Sequence, residues 1–320
     1  MSAQLALAVY ASETGRHLVE PPRDDPRFRA HARDFDSIAY TARLAGRGLR
    51  FLARGDASFP PLLRAIHDPP PGLFIRGAGD AEILARPAVA VVGARCCSGY
   101  GASVARMLGR ELGAAGLVVV SGLARGVDAE AHRGALEAGA ATIAVLGCGV
   151  DRDYPAGNAP LAAQVARTSL VVSEYAPGVE PAPWRFPARN RIVAGLCAAT
   201  VVVEARERSG ALITAEFALE EGREVFAVPG EIRSALSAGS NALLKLGASP
   251  LTAPEDVLAS FGLTRAEAPV EDGALLDLLP ATADELVRRT GLTAAEVARA
   301  LVELELVGAA SSHDGVYRVR

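Results

Sequence analysis

The chain has 320 residues, half of them hydrophobic and 22% charged, with a formal net charge of −4. This composition excludes a disordered chain and a generally polycationic one, and it leaves room for one large domain plus one or two small ones. Four unevenly spaced cysteines and five scattered histidines suit neither a disulfide framework nor a metal cluster, so no metal is expected and a reducing cytoplasm is the economical reading.

In chain order, residues 1–50 read as weakly helical, with Arg/Asp-rich stretches such as "PPRDDPRFRAHARD". The opening "MSAQLALAVYASETG" lacks a positive n-region, and no apolar run approaches the roughly 18 residues of a membrane span, so neither a signal peptide nor a membrane partner is expected. "HDPPPGLFIRG" (67–77) reads as proline-rich punctuation before the main domain. Apolar runs rich in Val and Ala follow at 88–93, 117–121, 142–147, 169–173, 200–204 and 224–228, alternating with amphipathic segments such as "YGASVARMLGRELGAAG". Continuous apolar strands between helices predict a parallel sheet covered on both faces, with ligands beyond the carboxyl ends of its strands. Past Pro254 a helix-like "EDVLASFGL" leads into a short linker, and the last fifty or so residues predict three short helices and a hairpin around Asp314-Gly315, a winged-helix pattern.

Charge is distributed unevenly. Residues 265–320 hold six arginines against ten acidic side chains, while the rest of the chain balances at 27 of each. An anion site in the main body must therefore be a local cluster, and the tail should repel polyanions. Lys245 is the only lysine, so arginine carries nearly all the positive charge.

Four strand-end loops carry the chemistry. The first, "VVGARCCSGYG", lacks the G-x-G-x-x-G dinucleotide spacing, yet Gly93 and the start of a helix near Ser98 can receive a phosphate, and Arg95 adds a planar fork for its oxygens. The plainer reading is a tight turn with a surface arginine. The second, "SGLARGVDAEAH", brings Ser121 and Gly122 to a strand end, with Asp128 as a helix cap rather than a base and His132 as a packing histidine rather than a catalyst. The third, "LGCGVDRDYP", has Gly147 and Gly149 to free the backbone and Tyr154-Pro155 as a loop wall. The fourth, "PWRFPARNRIVAGL", crowds Arg185, Arg189 and Arg191 around Trp184 and Phe186, with Asn190 between two of the arginines. Aromatic faces interleaved with guanidinium groups suit single-stranded nucleic acid, although core aromatics with solvated arginines would produce the same string. Ser209-Gly210 before another helix repeats the phosphate-cradle shape, and "AGSNALLKLGA" supplies Asn241 and Lys245. There is no Walker motif, because the sole lysine stands outside any G-x-x-x-x-G-K-[ST].

Taken together, "VVGARCCSGYG", "SGLARGVDAEAH", "LGCGVDRDYP", "SEYAPG", "FPARNRIVAGL", "SGALITAEFALEEGREVFAVPG" and "GSNALLKLGA", in order over roughly residues 58–250, resemble the DNA-processing protein A (DprA/Smf) family. The resemblance implies an α/β fold: an extended Rossmann-like domain with a parallel-rich sheet at 58–262, a small winged-helix domain at 263–320, and a helical or irregular region at 1–57. It implies a cofactor-free, non-enzymatic, dimerising protein that binds single-stranded DNA, protects incoming strands and loads the RecA recombinase during natural transformation. Arg95, Phe186, Arg189 and Arg191 match positions of the family's DNA groove or its support, with Arg95 gripping a phosphate and Phe186 stacking a base. Gly93, Ser121, Gly122, Ser209 and Gly210 match its backbone-donor loops.

The chain departs from the family pattern in places. Cys197 stands where many members carry serine, and positions often filled by lysine are arginine or missing. The amino-terminal region looks too short and irregular to assign to the helical domain of some relatives. The helix in the recognition position, 293–306, carries Glu296, Glu303 and Glu305 against Arg299, so it is expected to dock protein rather than read a DNA groove. The alternative function is a nucleotide phosphoribohydrolase of the lysine-decarboxylase-like class, whose P-G-G-x-G-T-x-x-E glutamate is displaced here: three residues past Thr214 comes Phe217, and Glu216 falls one residue short.

Overall fold

The computed structural model describes residues 2–264, 273–290, 293–306, 308–313 and 315–319, and the chain divides into two units after residue 265. Three helices, α1 (Ser2–Thr14), α2 (Pro26–Asp34) and α3 (Ser37–Gly46), lead into β1 (Leu49–Ala53), followed by α4 (Pro61–Arg64), β2 (Gly72–Arg76) and β3 (Ala88–Val92). Strand and helix then alternate through α5 (Gly99–Ala114), β4 (Val118–Ser121), α6 (Val127–Glu137), β5 (Thr142–Val145), α7 (Ala159–Thr168) and β6 (Leu170–Ser173). The alternation continues through α8 (Arg185–Gly195), β7 (Ala199–Val202), α9 (Gly210–Glu220), β8 (Glu224–Ala227), α10 (Ala238–Lys245), β9 (Ser249–Pro250) and α11 (Pro254–Ser260).

These strands form one nine-stranded sheet in the order β1-β2-β6-β5-β4-β3-β7-β8-β9. From β6 across to β9 every neighbouring pair is parallel. Strands β3 to β7 are buried along their whole length, as a sheet between two helical layers requires. In β3, Ala88, Ala90 and Val92 face the layer of α8, α9 and α10, while Val89 and Val91 face that of α5, α6 and α11. Cys197 is fully buried in the first layer, and burial pushes its thiol well up from the ordinary value.

The stretch read as punctuation holds a strand. Its prolines stop at Pro71, and Gly72–Arg76 pairs antiparallel with β6 and with β1. The amino-terminal region is therefore built into the sheet: β1 is its edge, and Leu5, Ala8 and Val9 of α1 pack with Leu49, Phe74 and Val171. Asp25 and Asp36 start α2 and α3 by accepting backbone N–H bonds from the first turn.

Helices α5 and α6 meet backbone to backbone. A Cβ on Gly134 would strike the carbonyl oxygen of Arg106, and one on Gly109 that of Ala131. Gly134→Ala is expected to cost about 1–3 kcal/mol by overpacking, read as a lower urea midpoint. An unchanged midpoint would mean that the helices can slide apart freely.

The second unit contains α12 (Gly273–Leu276), β10 (Ala281–Thr282), α13 (Ala283–Thr290), α14 (Ala294–Leu306), β11 (Ala310–His313) and β12 (Val316–Val319). Its antiparallel sheet runs β10-β12-β11 over a core of Leu275, Leu286, Val297, Leu301 and Leu304, a winged-helix arrangement. Thr282 and Glu285 form a capping box at the start of α13, each accepting the other's backbone N–H. In the hairpin Gly315 has φ +78°, while Asp314 and the side chain of Glu296 lie outside the described residues.

Candidate nucleic-acid interface

The chain runs from β3 outward through β4, β5 and β6, then returns to the other side of β3 with β7 and β8. Such a reversal leaves a crevice beyond the carboxyl ends of the strands. A cavity of about 440 Å³ opens there, and among its walls are Gly93 and Arg95 after β3, Gly122, Ala124 and Asp128 after β4, Phe186, Arg189 and Asn190 of α8, and Ser209 and Gly210 at the start of α9. A second lobe of about 230 Å³ shares Arg95, Gly122, Phe186 and Arg189 and adds Arg125, Leu146, Gly147, Tyr154 and Pro155.

Arg189 forms the floor between the lobes. Its side chain is only 4% exposed. Its Nη1 donates to the carbonyl oxygens of Gly122, at 2.8 Å, and Val145, and its Nε donates to Asn190 Oδ1 at 3.2 Å. Asn190 in turn donates from Nδ2 to Gly210 O at 2.9 Å, tying α8 to the start of α9. Ser209 caps α9, its Oγ accepting from Ala211 N. Above the floor, the guanidinium of Arg95 stands 5.6 Å from the Phe186 ring centroid, and Tyr154 stacks on that ring at 5.1 Å. Burial pulls Arg189 below its ordinary pKa and pushes Asp128 up, the latter opposed by the positive charges of Arg189 and Arg95.

The loop after β4 is held in an unusual conformation. Leu123 has φ +58°, a region that costs a non-glycine residue about 1–2 kcal/mol. Asn158 Nδ2 donates to the carbonyls of Leu123 and Ala124, and Asp128 Oδ2 accepts from the N–H groups of Gly122 and Ala124. Asp128 therefore caps this loop and not its own helix, which begins behind Gly126 at φ +73°. Only glycine fits there, because a Cβ would meet Ala94 O.

The other sequence candidates lie elsewhere. Ser98 caps α5 through Gly101 N and binds the buried carboxylate of Glu204 with its own N–H and hydroxyl. Ser121 is sealed in the sheet, donating to Val91 O. Arg191 is 5% exposed and grips both oxygens of Glu174 at 2.7 and 2.9 Å, with Nε directed to Asp68. Arg185 lies over Tyr175 and Trp184, away from the cavity. Asn241 brackets the backbone of Gly230, and Lys245 is exposed in the last turn of α10. Glu204 carried no motif signal, and Tyr154 was readable only as a loop wall. Their roles come from contacts 106 and 32 residues away in the chain, with Ser98 and Phe186.

Residues 50–262 match the family described as DNA recombination-mediator protein A, and residues 263–316 match the DprA winged helix domain. The chain belongs to this DNA recombination-mediator protein A family. The DNA processing protein DprA of Streptococcus pneumoniae is 48% identical over 210 residues, covering 64% of this chain and 72% of the relative. Protein Smf of Escherichia coli is 40% identical over 279 residues, covering 81% of this chain and 74% of the relative. The X-ray structure of the Streptococcus pneumoniae family member matches with a TM-score of 0.68 at 39% identity, over 81% of this chain and 93% of that one. The Helicobacter pylori family member, described with a single-stranded DNA binding mode, matches with a TM-score of 0.59 at 31% identity, over 63% of this chain and 92% of that one. No helix among the described residues is long and apolar enough to cross a membrane.

Proposed function

We propose that this chain binds single-stranded DNA in the crevice between the β3 and β7 loops and, as a homodimer in the cytoplasm, protects the strand and hands it to a RecA recombinase during DNA uptake. The observation that carries the DNA reading is the convergence of Arg95, Phe186, Arg189 and Asn190, from two elements far apart in sequence, on one cavity at the reversal of the sheet. An aromatic face stacks a base of any identity, guanidinium groups take phosphates, and the glycine-lined walls admit the backbone closely. The single-stranded DNA binding described for the Helicobacter pylori relative points the same way.

The phosphoribohydrolase reading needs a carboxylate facing the ribose. Glu216 is exposed on α9 outside the cavity, and Phe217 packs against the core. The one carboxylate lining the cavity, Asp128, is engaged by two loop N–H groups. The chain acts on this reading as a binding protein and not as an enzyme, so no ribose 5-phosphate should appear from AMP.

Fluorescence anisotropy of a labelled oligothymidine at two salt concentrations tests the proposal. Phe186→Ala is expected to weaken binding about tenfold, the loss of one stacked base. Arg95→Ala should reduce the salt slope by about 0.7, the share of one phosphate contact on a single strand. Binding indifferent to both changes would remove the crevice from the DNA path.

A further inference from the structure

Arg189 holds a positive charge that the protein offsets only in part: Asp128, on the same cavity, acts on it through space, but its carboxylate is hydrogen-bonded to the N–H groups of Gly122 and Ala124 instead. It is nine-tenths buried and more, it makes no ion pair among the described residues, and its Nη2 carries no hydrogen bond among them. That Nη2 lies so close over Gly122 that a Cβ there would stand 2.5 Å from it, and both residues wall the cavity. A buried guanidinium without a direct ion pair is costly, so the site is arranged for an anion that arrives from outside.

We infer that the cavity is built for a phosphomonoester, the 5′-phosphorylated end of a strand or a free nucleoside monophosphate, rather than for an internal phosphodiester. Charge is the first reason. A monoester carries about −1.5 to −2 at neutral pH against −1 for a diester, and here Arg189, Arg95 and the first turn of the 11-residue α9 converge on one space, against a single lining carboxylate, Asp128, whose charged form burial disfavours. Chain path is the second. Arg189 sits at the floor, fixed to the ends of β4 and β5. A strand end reaches that floor with one way out, whereas an internal phosphate must bring two chain continuations with it. The adjoining lobe is the third, since Leu146, Tyr154, Pro155 and Phe186 offer an apolar, aromatic wall for the terminal base. The strand-end form rests on the single-stranded DNA reading, while the monoester chemistry does not.

The test compares a 3′-labelled oligothymidine bearing a 5′-phosphate with the same oligomer bearing a 5′-hydroxyl, on the full chain, with dTMP and thymidine as competitors. The phosphorylated strand is expected to bind about tenfold tighter, from charge-assisted hydrogen bonds that the hydroxyl end lacks, and dTMP should compete far better than thymidine. Gly210→Asp is the sharpest variant. A Cβ at Gly210 meets nothing within 4 Å, and an acidic residue in the first turn of a helix favours folding, so the melting temperature should hold while the preference for phosphate falls to about one. Arg189→Gln should lose the same preference wherever its melting curve shows a folded protein. Equal binding of both strands, with dTMP no better than thymidine, overturns the inference and leaves the DNA reading standing. If neither strand binds while dTMP does, and Gly210→Asp abolishes it, the monoester site stands and the DNA reading fails.

Discussion

Arg191→Met is expected to lower the stability of the larger unit by about 3–5 kcal/mol, because it leaves the Glu174 carboxylate buried without its partner. Glu174 is 7% exposed, and both of its oxygens are held by the two Nη groups of Arg191. Asp68 is also tied to the Arg191 Nε and to His17, so the substitution loosens the joint between α8 and the segment before β2. Trp184 is the only tryptophan, and its fluorescence follows urea unfolding of this unit alone. Arg191→Met combined with Glu174→Met should recover most of the loss, since an apolar pair of similar volume often replaces a buried ion pair without penalty. A single-variant loss under about 1 kcal/mol would put the pair in the class of exposed salt bridges, with water already reaching Glu174.

The second large effect is one of pH. His132 is fully buried, its Nδ1 lies 2.7 Å from Thr142 Oγ1, and that hydroxyl donates to Val119 O at 2.7 Å. The network assigns the proton to Nδ1, leaving Nε2 buried without a hydrogen-bond partner among the described residues. Protonation at Nε2 would create a donor with no acceptor as well as a charge in the interior. Burial, reinforced by the nearby Arg189 and Arg133 charges, lowers the His132 pKa to about 3. An unfolded histidine takes its proton near pH 6.5. Between those values the unfolded state binds the extra proton, so stability rises with pH across the window and is lost as pH falls from about 6.5 toward 3. The slope is about 1.4 kcal/mol per pH unit. Subtracting the profile of His132→Gln from that of the native chain isolates this contribution from the carboxylates. A flat difference between pH 6.5 and 4.5 would show that the folded protein protonates His132 without opening.

The family of this chain and the loops that line its cavity were legible in the sequence because glycine, proline and arginine spacing around strand ends is local information. The strands β3 to β8 were legible for a similar reason: strands buried on both faces are continuous runs of Val and Ala, readable without knowing their neighbours. β1 and β2 were not, since an antiparallel pair at the sheet edge carries no such run and β2 begins directly behind three prolines. The sequence also presents Arg185, Arg189 and Arg191 as equals. On α8, residues 189 and 191 are two steps of about 100° apart and point to nearly opposite sides, and only the packing of that helix says what waits on each side. Arg191 meets the Glu174 carboxylate and becomes structural, while Arg189 meets backbone carbonyls, makes no ion pair among the described residues, and is left facing the cavity. Whether an arginine holds the fold or waits for an anion depends on whether a carboxylate reaches it directly, and for Arg191 that carboxylate comes from Glu174, 17 positions away in the chain.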